Sequence, residues 1–265
     1  MKGATGTAHG HGHGRAQAEK EKEQRAIEEE QQAACGPPPP PEQLMALSSI
    51  TGYSLQNCGD LRWVPGTKSL FFPAGNTLVA MDAGGERAQQ YFFGHSGPIV
   101  CVAVSGSVVA TAEQGRPPLI IVRDWRQGRV LVSLTAASLI SIQGLSLSGD
   151  GKSLVVVGKE RHNREEIVVW PVSPEAKYSA RQLSDFNVLS LKFLPADPSR
   201  LASCGKENIR FWRVKNGHLP GAAVVLNQHA RNTVFTCLDF SGADRLFAGS
   251  KDGMVFQVSC STQKL

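Results

Sequence analysis

Aromatic residues, clustered cysteines and long apolar runs are all scarce in this sequence. Aromatics make up 7% of its 265 residues and fall mostly inside short apolar stretches. Single-stranded nucleic acid is gripped by aromatics interleaved with basic residues on one face, and the pattern offers no such face, so no nucleic-acid partner is expected. No stretch approaches the roughly 18 apolar residues that a membrane-crossing helix needs. Met1 to Gly14 lacks the apolar core of a secretory signal, so no membrane partner is expected either. The six cysteines, Cys35, Cys58, Cys101, Cys204, Cys237 and Cys260, lie far apart and never form CxxC. That spacing argues against a disulfide framework or zinc site and for buried free thiols, and hence for an intracellular chain. Signatures of catalysis are missing too: there is no GxSxG, HExxH, Walker loop or GxGxxG. His95, His162, His218 and His229 sit at separate turns with no acid or nucleophile at a motif spacing. Catalysis needs clustered groups, so the expectation is no enzyme, no cofactor and no metal.

What is present divides at about residue 44. Residues 1–43 are poor in apolar side chains and open with His9, His11 and His13 alternating with glycine. Such a run binds a soft metal weakly and is more simply compositional. Residues 18–34, AEKEKEQRAIEEEQQAA, are rich in helix formers and in Glu–Lys pairs at helical spacing. Ile27 is the single large apolar residue there, which rules out a heptad seam and leaves a solvated helix. Pro37 to Pro41 stop that helix and set up a polyproline II spacer, with an SH3 or WW ligand as the alternative role. The expected organisation is a low-complexity tail over 1–43, disordered or partly helical, and a folded region over 44–265. Charge divides similarly. Residues 1–51 hold five Lys and Arg against seven acidic residues, while the remainder holds 23 against 16, a surplus of +7. A surplus of that size suits an acidic partner such as tubulin or nucleic acid, or else reflects a solvated surface.

From Leu44 onward the sequence is a series of short β-branched runs separated by turn signals: IVCVAV, SVVATA, PLIIVRDW, RVLVSL, SLVVVG, EIVVW, LSLKFL, NIRFW, VFTCLDF and MVFQV. Many evenly spaced strands mean a sandwich, barrel or propeller. One strand of each unit ends at a comparable place, near Met81 and Asp82, Arg123 and Asp124, Trp170, Trp212, and Gln257. The spacing of about 42 to 47 residues is that of a four-stranded propeller blade, and no sandwich requires it. Turns such as Asp82-Ala83-Gly84-Gly85 follow these ends, and Lys206-Glu207-Asn208 or Lys251-Asp252-Gly253 precede the last strands.

These residues resemble the WD-repeat family. Its usual blade has a Gly-His dipeptide, an Asp in the turn before the third strand, and Trp-Asp closing that strand. Here Gly94-His95 supplies the dipeptide, with His229 as a partial match. Asp252 holds the turn position, Trp170 and Trp212 close their strands without Asp, and Asp82 and Asp124 keep the Asp without Trp. The resemblance implies that these polar groups bond within a blade and rigidify it, so their loss weakens single blades without changing the fold. A narrower resemblance is carried by Ile50-Thr51-Gly52-Tyr53, Asn57-Cys58, Leu61-Arg62-Trp63, Pro65-Gly66-Thr67 and Phe72-Pro73-Ala74-Gly75. It is similar to the first blade of echinoderm microtubule-associated protein-like proteins and of related centriolar and ciliary WD-repeat proteins, the WD-repeat protein 90 group among them. Ala202 to Lys206 before Ile209-Arg210-Phe211-Trp212 resembles the fourth blade of the same group.

The expected fold is therefore all-β, a WD-repeat β-propeller of about five blades: four full units and three strands of a fifth. Because the family usually closes with seven blades, a fragment of a larger propeller is expected. The alternative is a five-bladed closure in which Leu44 to Ile50 supplies the missing outer strand. For a contact surface, Lys159 to Glu166 is the most polar insertion, read as a solvated loop between the second and third strands of the third blade. With Arg161, His162 and Arg164 it also reads as a partner contact, flanked on the same face by Arg116-Pro117-Pro118 of the second blade. The expected function is a protein-binding scaffold, and the resemblance implies tubulin or microtubules at centrioles, basal bodies or cilia. A substrate-recruiting subunit of a ubiquitin ligase is the alternative.

Overall fold

A computed structural model describes residues 47–51, 61–64, 66–84, 88–175, 177 and 180–264. The chain divides into two units, Met1–Ser48 and Ser49–Leu265, and the architecture that follows is that of the second. The tail features read from the sequence (the histidine run, the 18–34 helix and the proline spacer), together with Cys35 and Cys58, lie outside the described residues. Among the described residues no helix is long and apolar enough to cross a membrane.

The strands form five antiparallel meanders in chain order. The first holds β1 (Arg62–Trp63), β2 (Ser69–Ala74), β3 (Thr77–Asp82) and β4 (Gln89–Phe92). The second holds β5 (Ile99–Ser105), β6 (Val108–Glu113), β7 (Leu119–Asp124) and β8 (Arg129–Thr135). The third holds β9 (Leu139–Leu147), β10 (Ser153–Glu160), β11 (Glu165–Pro171) and β12 (Ala180–Ser184). The fourth holds β13 (Val188–Leu194), β14 (Asp197–Gly205), β15 (Asn208–Arg213) and β16 (Gly221–Ala223), and the fifth β17 (Phe235–Ser241), β18 (Arg245–Ser250) and β19 (Val255–Ser259). The described strands thus fall into four sheets of four strands and one of three, the arrangement expected of consecutive propeller blades.

Its core is a set of layers rather than one centre. Alternate side chains of a strand point to opposite faces. On β10 and β11, Leu154, Val156, Val168 and Trp170 therefore join the layer shared with the second sheet. Val155, Val157, Ile167 and Val169 join the layer shared with the fourth. Strands buried on both faces read as unbroken apolar runs. Similar layers lie between the first and second sheets, around Phe71, Leu78 and Val102, and between the fourth and fifth, around Phe211, Phe235 and Leu246. Each such side chain contributes about 1.5–3 kcal/mol by leaving water.

The register identifies the repeat position directly. Met81, Arg123, Trp170, Trp212 and Val258 face Leu70, Val109, Leu154, Leu201 and Leu246 on the preceding strand. The marker expected at Gln257 belongs one residue later. In the fifth sheet, Lys264 pairs back onto Ser259 by one antiparallel bridge. Ile50, offered as part of that sheet's outer strand, instead exchanges two hydrogen bonds with the Gln89 side chain of β4, at 2.8 and 2.9 Å.

Adjacent sheets present their ends in the same sense. At one end the Ser105 hydroxyl donates to the Gly149 carbonyl (3.2 Å), and Gly149 in turn lies against the Pro195 carbonyl. At the other end, turns between second and third strands meet the entry to the next sheet. Ile99 N–H donates to the Gly75 carbonyl (2.8 Å) and Glu207 N–H to the Thr233 carbonyl (2.8 Å).

Candidate interaction face

The end formed by these second-to-third-strand turns carries the residues singled out from the sequence. Arg116 is exposed between β6 and β7, and Arg161, His162 and Arg164 are exposed between β10 and β11. They share an end, as their equivalent places in consecutive sheets require. Lys206, Arg231 and Lys251 are exposed at the same end, from the β14–β15 turn, the entry to β17 and the β18–β19 turn. No polar insertion marks these three in the sequence: Lys206 and Lys251 stand in ordinary tight turns, and Arg231 stands in the loop before β17. The positive charge is partly offset: Arg164 pairs with Glu160, and Lys206 approaches Glu207 at 4.0 Å.

The polar stretch Lys159 to Glu166 is shorter as a loop than expected. Only Arg161 to Arg164 form the turn, while its flanks continue β10 and β11. Glu165 is 6% exposed and Glu166 1%. Both carboxylates serve the sheets. Glu165 accepts the Val188 N–H of the fourth sheet (2.6 Å), and Glu166 accepts from Arg181 on the outer strand (2.7 Å). Burial pushes the Glu165 carboxyl above its usual range, against the pull of the Val188 N–H.

A buried polar network shapes the same end of the second sheet. His95 precedes β5 and uses both ring nitrogens: Nε2 bonds Thr111 Oγ1 at 2.7 Å and Nδ1 bonds Glu113 Oε2 at 3.1 Å. Glu113 also accepts the N–H groups of Ser96 (2.8 Å) and Gly97 (3.1 Å). Glu113 thus does within the second blade what the resemblance assigns to a turn Asp. Its place at the last position of β6 was the available signal. Gly94 has φ +129, and a Cβ there would lie 2.8 Å from the Arg123 guanidinium. Arg123 occupies the position Trp212 holds in the fourth sheet, and donates to the Phe93 carbonyl.

The other signature residues are structural as well. Trp212 donates its indole N–H to Ser203 Oγ at 2.7 Å, and Trp170 packs in the layer between the second and third sheets. Asp82 and Asp124 accept backbone N–H groups of the turns that follow, Gly84 for the first and Arg126 and Gln127 for the second. Asp252 is exposed in the β18–β19 turn, and His229 is exposed in a short 3-10 turn, Gln228–Ala230. Among the described residues, no three His, Cys, Asp or Glu side chains gather as a metal site.

Five meanders with a repeat position at equivalent register in every sheet match the arrangement that the resemblance implies, and the second sheet adds a His–Thr–Glu network at its entry. A family model described as WD domain, G-beta repeat matches residues 223–257. Residues 223–257 thus match one WD repeat. The chain is 27% identical over 237 residues to WD repeat-containing protein 90 of Homo sapiens, covering 83% of this chain and 13% of that protein. It is 26% identical over 265 residues to centriole proteome protein 16 of Chlamydomonas reinhardtii, covering 83% and 13%. To echinoderm microtubule-associated protein-like 2 of Mus musculus it is 26% identical over 230 residues, covering 80% and 34%. The chain thus spans about an eighth of the length of the first two relatives.

Proposed function

We propose that this chain is a non-enzymatic protein-interaction scaffold associated with microtubules of centrioles, basal bodies or cilia. The observation that carries the reading is the end of the sheets where Arg116, Arg161 and Arg164 stand exposed beside Lys206, Arg231 and Lys251. Rigid strands hold these turns, and a turn on a rigid scaffold is where binding residues are placed. Long-range attraction from such an end suits an acidic protein surface. The names of the relatives point to centrioles in one case and microtubules in another.

The test is co-sedimentation of the full chain with polymerised tubulin at increasing salt. Pelleting that weakens with salt is expected, because exposed charges are screened within about a Debye length. Replacing Arg116, Arg161 and Arg164 together by Glu is expected to lower the affinity by about tenfold or more. A folded chain that stays in the supernatant at low salt overturns direct microtubule binding. A general assembly adaptor, such as a substrate-recruiting ubiquitin ligase subunit, then becomes the leading reading.

A further inference from the structure

The outer strand of the fourth sheet, β16, consists of Gly221, Ala222 and Ala223, all exposed. They face Trp212, Phe211 and Arg210 of β15 in that order. The Arg213 N–H bonds the Pro220 carbonyl at 3.0 Å, and the Val224 N–H bonds the Ile209 carbonyl at 2.8 Å. In an antiparallel ladder the hydrogen-bonded pairs alternate, so Ala222 with Phe211 is the bonded pair between those two. Gly221 and Ala223 therefore turn their N–H and C=O groups away from β15, and among the described residues these groups meet no partner. Open edges are normally blunted by long or charged side chains. The outer strands β4, β8 and β12 carry Gln89, Arg129 and Arg181, whereas β16 carries nothing larger than a methyl group.

A groove of about 330 Å³ lies against this edge, bounded by Arg200, Arg213, Trp212, Pro220, Gly221 and Gln263. Arg200 and Arg213 are direct cross-strand partners and so share a face. Like charges set opposite one another are unfavourable unless an anion lies between them. Among the described residues neither makes an ion pair with a carboxylate. Arg200 is steadied by the Cys260 carbonyl at 3.2 Å and lies 6.0 Å from the centre of the Phe211 ring. Arg213 is exposed. The acid that feels both cations, Asp197, spends Oδ1 on the Ser199 N–H (2.9 Å) and hydroxyl (2.6 Å).

We propose that β16 and the Arg200–Arg213 groove together dock an extended acidic peptide segment of a partner protein. The segment adds as a fifth strand on Gly221 and Ala223, while one of its carboxylates lies between the two guanidinium groups. Main-chain bonds to an exposed edge give such a complex its affinity, and a side-chain pocket beside the edge gives it selectivity. Paired arginines supply the charge-assisted bonds that fit a carboxylate. The inference is independent of the microtubule reading, because β16 lies on the rim rather than on the end bearing Arg116 and Arg161.

Fluorescence anisotropy of the full chain with a labelled short peptide of alternating glutamate and valine tests this. Saturable binding is expected, weakened about tenfold or more by Arg213→Glu. Ala223→Pro, which removes an outward N–H and no ladder bond, is expected to weaken it similarly. Arg129→Glu, on the rim of the second sheet, is expected to change little. The same peptide N-methylated at alternate residues is expected not to bind the unaltered chain, and it decides the matter alone if Ala223→Pro does not fold. Absence of saturable binding, full binding of the N-methylated peptide, an unaffected Arg213→Glu, or an equal loss in Arg129→Glu would each overturn the proposal.

Discussion

At the scale of single residues, His95 ties the entry of the second sheet to Thr111 and Glu113, and its protonation state matters for stability. Burial pushes its pKa below the ordinary histidine value, with the Glu113 hydrogen bond and charge opposing and Arg123 assisting. The folded chain therefore binds a proton at His95 less readily than the unfolded chain does. That contribution is intact above about pH 6.5 and is lost as pH falls from there through the lowered folded value. Glu113 follows at lower pH. Burial alone would raise its pKa, but the Gly97 and Ser96 N–H groups, the Ser96 hydroxyl and His95 hold it below the usual 4.5. Its contribution is intact above that usual value and fades in more acid solution. Urea unfolding across a pH series is expected to show stability falling from neutral pH toward 5. In His95→Gln that slope is expected to flatten, with a loss of about 1–3 kcal/mol at neutral pH. Parallel pH curves for the two proteins would refute the role given to His95.

At the scale of elements, two glycines of second strands show why close approach decides local sequence. Gly158 and Gly205 face register shifts in β9 and β13. A Cβ on Gly205 would stand 2.0 Å from the Asn187 carbonyl oxygen, and one on Gly158 would stand 2.1 Å from that of Ser141. Backbone cannot yield as a side-chain tip can, so Gly205→Ala is expected to cost about 2–4 kcal/mol. Gly217→Ala, at φ +83 in an open turn, is expected to cost only about 1 kcal/mol of strain. Thermal unfolding of the two variants checks the order. Equal losses would mean that the carbonyl contact is relieved by a small shift of β13.

Legibility in the sequence followed burial at this same scale. Strands such as β6, β10 and β11, buried on both faces, appear as apolar runs, and their period revealed the blades. Outer strands did not. QQYF of β4, ARQLS of β12 and GAA of β16 line the rim, where no apolar layer selects their side chains. The Arg161 turn was readable because a polar cluster interrupts an apolar run. Its flanking Glu165 and Glu166 read as solvated in the sequence, because their partners Val188 and Arg181 are distant along the chain. Glu113 escaped for the same reason, since its partners come from the loop before β5.

At the scale of the whole chain, the positive surplus of the folded region is spread between an end and a rim rather than gathered at one place. Arg116, Arg161 and Arg164 belong to the first, and Arg213 to the second. A partner bound by charge alone would be weakly discriminated by either, so geometry has to add selectivity. Turn order supplies it at the end, and the β16 ladder supplies it at the rim.

The apolar layers each join two sheets that are neighbours in the chain, which makes the molecule behave as a short one-dimensional lattice. Stability in such a lattice is a sum of unit terms and couplings to nearest neighbours. Leu246 is fully buried in the layer between the fourth and fifth sheets, and Leu246→Ala is expected to cost about 2–5 kcal/mol. In amide hydrogen exchange the loss of protection is expected in β13 to β15 and β17 to β19, with β5 to β7 unchanged; uniform loss would refute the layered coupling. Damage in this molecule therefore has a range, about one sheet in either direction. The distance from a lesion to a binding surface, counted in blades, sets whether the lesion silences it.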